Sequence, residues 1–574
     1  MNVPETTAWQ QLPPILLPSP IMALIHGPDG LWAGGIGGVA WRPADGAWEP
    51  RLSGLPLTAV AALTYAAGWL LAGGAEGIAR SGDGGLTWQL GKTESATQLT
   101  AIVASPRFAK DGTALAATLG DGILRTTNAG RTWELANFGL EDFEVTALAW
   151  ETGDIVLAGT ASGLYRSPNG GRAWRVIGGG GLPVAALAFL PNGAVMAALE
   201  EDGLLRATDG GIRWTTHGSL PEGALALALL ATPAGTLLLG TANYELLRSI
   251  DEGETWSQVA QSVTLSLTSG SASQGRLYAG TDSGLLTSVD DGATWQPEAM
   301  PPIHDLRRLL IVDGTPLIAG PQTGMVRYHS EAGWETLPEH PSPLTALSLA
   351  PDGSLFAASP TGLARSTDAG ETWQIIVPGE LGRVEQLTFG AGGLGWAGST
   401  NGTQLLVTHD GGSTWELRES PFGVVQLMAL QAAADMLIAV TYNSQQQVVQ
   451  PWRSFDGGQT WARGTEVRTV WPLVATFDKP PLFTIGNNLY VQQPDDNWLQ
   501  TIISPAGSAV RRIVGNGEVL LALTTSGIYR SSDQGITWAH DDKGLPLEQI
   551  MDIALADSLV YVLLAGGQVW SRSL

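Results

Sequence analysis

Seven histidines, 54 acidic residues and no cysteine set the chemical repertoire of this 574-residue chain. Without cysteine there are no disulfides, thiolate metal sites or thiol nucleophiles. The histidines stand at 26, 217, 304, 329, 340, 409 and 540, and no two share a local metal-ligand spacing such as His-x-x-x-His. No Ser-His-Asp array and no phosphate-cradling GxxxxGK[ST] can be drawn. Paired carboxylates are the remaining chemistry, since two of them flanking a glycosidic bond serve as acid and base in its hydrolysis. Asp142, Asp305 and Asp478 are acidic residues outside any repeated pattern, but spacing assigns none of them a role. No catalytic, cofactor-binding or metal-ligating residue is therefore assigned, and no cofactor is expected.

Charge narrows the partners. Thirty basic against 54 acidic residues leave a formal net charge of -24, which repels phosphate backbones and argues against nucleic acid. The adjacent pair Arg307-Arg308 reads as solvated surface. The N-terminal MNVPETTAWQQLPP lacks both a basic and an apolar signal region. The most apolar stretch, 224–240, is interrupted by Pro233 and Gly235 and reads as two strands around a turn rather than a membrane helix. A cytoplasmic, membrane-free protein is expected.

The elements that would position any site come from one octapeptide. It reads SGDGGLTW at 81–88, TTNAGRTW at 126–133, SPNGGRAW at 167–174, ATDGGIRW at 207–214 and SIDEGETW at 249–256. It returns as SVDDGATW at 288–295, STDAGETW at 366–373, THDGGSTW at 408–415, SFDGGQTW at 454–461 and SSDQGITW at 531–538. Worn copies end at Trp9, Trp48, Trp334 and Trp498, so fourteen repeats of about 41 residues fill the chain. Within 145–177, VTALAW, IVLAGTA, GLYRS and AWRVI are four short apolar runs separated by Gly-rich turns, the pattern of one propeller blade. No window holds a sustained helical stripe. In the turn, the Asp is placed to accept backbone N–H bonds, the Ser or Thr to close the other side, and the Gly two positions on to take a positive φ.

This octapeptide resembles the Asp-box, or bacterial neuraminidase repeat. Families that carry it include sialidases, the sortilin family, photosystem II assembly factors and xyloglucan-active glycosidases built from two seven-bladed propellers. In these families the box is a structural turn away from the active face, which implies that the box Asp and Asn residues are scaffold. The expected fold is all-β: a β-propeller of about fourteen four-stranded blades, as two seven-bladed rings over 19–300 and over 301–574 with 1–18. A single ring of ten or more blades is the alternative. The C-terminus supplies three strands of a blade, so the N-terminal strand with Trp9 is expected to complete it and cover the open edge.

Function is read from what the blades present. Eight tryptophans lie outside the boxes: Trp32, Trp41, Trp69, Trp150, Trp396, Trp452, Trp471 and Trp570. Aromatics anchor protein interfaces, but Trp32, Trp69 and Trp396 fall where other repeats have a core residue of the second strand. The stretch YNSQQQVVQPW, 442–452, departs most from the repeat and is the candidate functional loop. Nearly every repeat is bare, without the insertions that build sugar subsites. The expectation is a non-enzymatic scaffold presenting a rigid face to a protein partner. The alternative is a glycoside hydrolase acting on a β-glucan in a cleft between two propellers.

Overall fold

The structure is a computed structural model. It describes residues 8–574 except 16–18, 45, 53, 94–97, 151–152, 179, 202, 270–274, 302–303, 338–339, 379–383, 400–403, 424, 434–435, 447, 465–475, 479–480, 486–487, 493–497, 504–507 and 547–548. For 269, 378, 433, 476–478, 481–483, 485, 490–492 and 498–499 it describes the backbone alone.

The protein is a multi-blade β-propeller. Fourteen four-stranded antiparallel sheets are found among the described residues, thirteen of them made of four strands consecutive in the chain. The exception joins Ile550–Ala556, Leu559–Leu564 and Val569–Ser573 to the N-terminal strand Gln10–Gln11. Gln10 pairs with Ser571 and Gln11 with Trp570, and the Leu12 N–H donates to the Val569 carbonyl at 2.9 Å. Trp9, only 8% exposed, lies under the Arg572 guanidinium at 4.3 Å. Among the described residues one α-helix is found, Phe108–Asp111, and it occupies a connection between two strands rather than a strand position.

The sheets fall into two compact units, Leu16–Asp305 and Leu306–Leu574 with Met1–Ile15. Each unit holds seven of the sheets. Within the first unit the opening strand of each sheet packs against that of the next, and Ile21–Gly27 of the first sheet against Thr264–Ser269 of the seventh. In the second unit Arg308–Val312 packs in the same way against Ile550–Ala556.

The core lies between neighbouring sheets. Second strands are buried on both faces, as in Val195–Leu199 and Leu237–Thr241, which explains their unbroken apolar runs. One such interface gathers Trp32, Val39, Val60, Leu70, Ala72 and Trp88. Burying each large apolar side chain stabilises by about 1.5–3 kcal/mol. The recurrent Ala-Gly-Thr of these strands has a steric cause: a Cβ on Gly159 would stand 2.6 Å from Val184 Cγ1 of the next sheet.

The octapeptide forms the turn between third and fourth strands. At the first copy the Ser81 hydroxyl donates to Asp83 Oδ1 at 2.7 Å and accepts the Gly85 N–H at 2.9 Å. Asp83 also accepts the Thr87 N–H at 3.0 Å and the Thr87 hydroxyl at 2.6 Å. The same bonds recur around Asp251, Asp290, Asp368 and Asp410. Gly85 has φ 77°, as the turn requires. The position before it is left-handed too, even where it is Ala129, Glu252, Asp291, Ala369 or Gln534, a strain the octapeptide pattern does not reveal.

Candidate functional site

Strand order dictates where a site can form. In every sheet the box turn shares one end with the turn between first and second strands. The other end carries the turn between second and third strands and the connection to the next sheet. In the 16–305 unit these far-end turns hold Glu76, Asp121, Glu200, Glu245 and Asp282. In the 306–574 unit the described equivalents carry Gln322-Thr323, Thr361, Gln445-Gln446 and Thr525-Ser526. One scaffold thus presents carboxylates in one unit and neutral amides and hydroxyls in the other.

The acidic rim is built by side chains bonded to backbone. Asn137 Oδ1 accepts the Ile123 N–H at 2.8 Å, and its Nδ2 donates to the Asp121 carbonyl at 2.8 Å. The Phe143 carbonyl accepts the N–H groups of Gly120 and Gly122, both at 3.0 Å. Asp142 accepts the Ser162 hydroxyl at 2.6 Å, the Ser162 N–H at 2.8 Å and the Glu144 N–H at 3.0 Å. Burial works to raise the Asp142 pKa, but these bonds, the Ser162 hydroxyl foremost, hold it below the ordinary value.

Their polar groups satisfied, these loops leave rings in water: Phe138 is 81% exposed and Phe143 44%. Tyr244, in the sixth sheet's far-end turn, is 58% exposed and sits at φ 62°, a conformation bulky residues avoid unless the surroundings impose it. Its neighbour Asn243 accepts the Leu225 N–H at 3.0 Å and donates to the Gly223 carbonyl at 2.7 Å. Flat apolar faces set among carboxylates suit a sugar, whose C–H faces stack and whose hydroxyls donate.

The residues singled out by sequence are dispersed. Asp142 belongs to this rim, Asp305 is buried at 5% exposure, and Asp478 ends a strand with its side chain outside the described residues. Trp32, Trp69 and Trp396 stand in second strands, Trp32 at 4% and Trp396 at 2% exposure. Trp41 packs on Trp32, Trp452 on Phe422, and Trp570 lies in the closing sheet. Trp150 ends an opening strand, and Trp471 lies outside the described residues. His409 is an exposed turn residue, whereas His540 is exposed on the short fourth strand Ala539–His540.

The nominated loop 442–452 is mostly strand. Met436–Asn443 and Val448–Ser454 form a lengthened hairpin, whose described turn residues are 444–446. Buried Gln450 secures it, donating to the Gly464 carbonyl at 2.7 Å and accepting from Arg463 Nε at 2.5 Å. Sequence reading missed Phe138, Phe143 and Tyr244. The available signal was large aromatics in turn segments, which the search for non-box tryptophans passed over.

No protein-family model and no curated protein sequence matches the chain. Among solved structures, a GH74 enzyme from Niastella koreensis covers 99% of this chain and 99% of its own, with TM-score 0.67 and 15% identity. The GH74 xyloglucanase from Xanthomonas campestris gives the same coverage and TM-score at 16% identity. PorZ, a surface component of the type-IX secretion system of Porphyromonas gingivalis, covers 99% of this chain and 87% of its own, with TM-score 0.52 and 16% identity. At such identities the likeness shows the fold, a β-propeller. It also corrects the expectation of a non-enzymatic protein-binding scaffold. The bareness of the repeats argued for that reading, yet the end-to-end matches include glycoside hydrolases, which favours the hydrolase alternative.

Proposed function

We propose that this chain is a glycoside hydrolase acting on a β-glucan, with each compact unit a seven-bladed propeller. The observation that carries the reading is the alignment over 99% of both chains with two GH74 structures, one of them a xyloglucanase. The exposed Phe138, Phe143 and Tyr244 support it, because they offer stacking faces beside hydrogen-bonding carboxylates.

Hydrolysis needs one carboxyl that donates a proton and one that acts as base or nucleophile. The box aspartates are poor donors, since their hydrogen bonds hold groups such as Asp251 and Asp290 to a pKa of about 2. Asp142 is committed to Ser162 and Glu144. Glu76 is likewise committed, to the Thr58 N–H and hydroxyl, and the acid and base roles are assigned to the rim carboxylates Asp121, Glu200, Glu245 and Asp282.

The test is release of reducing ends from xyloglucan and other β-glucans by the intact chain. Hydrolysis is expected. Among D121N, E200Q, E245Q and D282N, two variants should lose about a hundredfold or more in rate with unchanged melting. If no β-glucan is cleaved, or all four variants cleave like the parent, the reading is wrong.

A further inference from the structure

The opening strands of the two units differ in charge. In the 16–305 unit they read IMALIHG, ALTYA, LTAIVA, VTALAW, VAALAF, ALALLA and TLSLTS, without one Asp, Glu, Lys or Arg. In the 306–574 unit they carry Arg308, Arg511 and Arg512 together with Glu385, Asp478 and Asp552. A seven-sheet unit of this kind therefore packs without charge on these strands. The three arginines face a cavity of about 440 Å³, walled by opening-strand residues such as Leu349, Thr388, Gln431 and Leu555.

Two of the arginines are partly engaged. Arg511 donates to the carbonyls of Ile550 at 3.0 Å and Met551 at 3.2 Å. Arg512 donates to the Leu309 carbonyl at 3.1 Å and to Asp552 at 2.5 Å. Asp552 is saturated, since it also accepts the N–H groups of Leu309 at 2.8 Å and Ile553 at 3.0 Å. One carboxylate thus answers one arginine. Arg308 donates to no described residue and its side chain is open to solvent. Glu385, on another opening strand, does not line the cavity.

Although open to solvent, Arg308 has its pKa lowered, first by the poorly hydrating walls of the cavity and then by Arg512 and Arg511, while Asp552 works against the shift. Carbonyls supply partial charge, not a counter-ion, so like charges share a confined space in a chain of net charge -24. An entering anion relieves that repulsion and takes up the unused N–H donors of a planar guanidinium.

We propose that this cavity is a binding site for a small oxyanion, a carboxylate or a phosphate. Arg308 is its primary donor, Arg511 its second, and the Arg512–Asp552 pair its fixed wall. Neutral glucans need no such charge, so the site stands apart from the hydrolase reading.

The experiment is calorimetric titration of the intact chain with inorganic phosphate, with glucuronate, and with glucose as neutral control, at constant ionic strength. Saturable binding of phosphate or glucuronate is expected, and none of glucose. Which anion binds distinguishes a phosphate ligand from a carboxylate one. Arg308→Gln should weaken that binding about tenfold or more. Its ligand-free melting temperature should match or exceed the parent's, because no described bond is lost. If neither anion binds saturably to the parent, or the variant binds as tightly as the parent, the proposal fails.

Discussion

The Trp334 indole N–H donates to the carbonyl of Pro13 at 2.8 Å, joining residues 321 positions apart. The other unit has its counterpart, in which Trp48 Nε1 donates to the Ala299 carbonyl at 2.9 Å. Both tryptophans belong to degenerate boxes in the first sheet of their unit, and both acceptors follow the outer strand of its seventh sheet. The worn boxes thus keep their Trp for a bond between first and last sheets. Trp334→Phe and Trp48→Phe should each lower stability by about 0.5–1.5 kcal/mol, the net worth of one hydrogen bond, as read from denaturant midpoints. Unchanged midpoints would reduce both bonds to incidental contacts.

The N-terminal strand covers the edge of the last sheet and buries Trp9 at 8% exposure. Trp9→Ala should cost about 3–5 kcal/mol, the usual range for a buried aromatic. Deleting residues 1–12 should cost more, because it also uncovers the Val569–Ser573 edge. Thermal melts of the two variants check this, and parent-like curves would refute the closure.

Acid should unfold the protein through its boxes. Asp251, Asp290 and Asp368 have pKa values of about 2 against the ordinary 3.8, held down first by the hydroxyl and then the N–H of the Thr four positions on. A folded pKa below the unfolded one gives stability that is complete above about 3.8 and is lost as pH falls toward about 2. Melting temperature from these groups should be flat from neutral pH down to about 5 and decline steeply between about 4 and 2. Replacing the Thr partners, as in Thr255→Val, should lower the melting temperature at neutral pH and make the acid decline smaller, because the folded pKa rises toward the unfolded one.

Two adjacent box positions should respond oppositely to substitution. Ala369 sits at φ 57°, which costs an L-residue about 1–2 kcal/mol, so Ala369→Gly should be neutral or stabilising by up to ~1 kcal/mol after the entropy gained by the unfolded chain. Gly370 has φ 95°, and a Cβ there would meet Leu337 Cδ1 at 2.9 Å, so Gly370→Ala should destabilise. Paired melting curves test the contrast.

Much of the scaffold was legible in the octapeptide. Ser81, Asp83, Gly85 and Thr87 bond within one eight-residue segment, so their types and order alone specify the turn. The apolar runs between boxes specify strands for the same local reason, and the missing fourth run at the C-terminus pointed to the N-terminal strand. Arg308, Arg511 and Arg512 were different. Arg307-Arg308 reads as surface because a charged pair in a short strand usually is, and 511–512 lies two hundred residues away. Only the packing of opening strands brings all three to one cavity. Likewise Phe138, Phe143 and Tyr244 are aromatics in turn segments, and their letters do not say whether the rings are buried or exposed. Beside Phe138 and Tyr244 in the chain, Asn137 and Asn243 bond to backbone of distant segments. Local hydrogen bonding and alternation are written within a few residues, whereas convergence and exposure are set by which distant strands become neighbours.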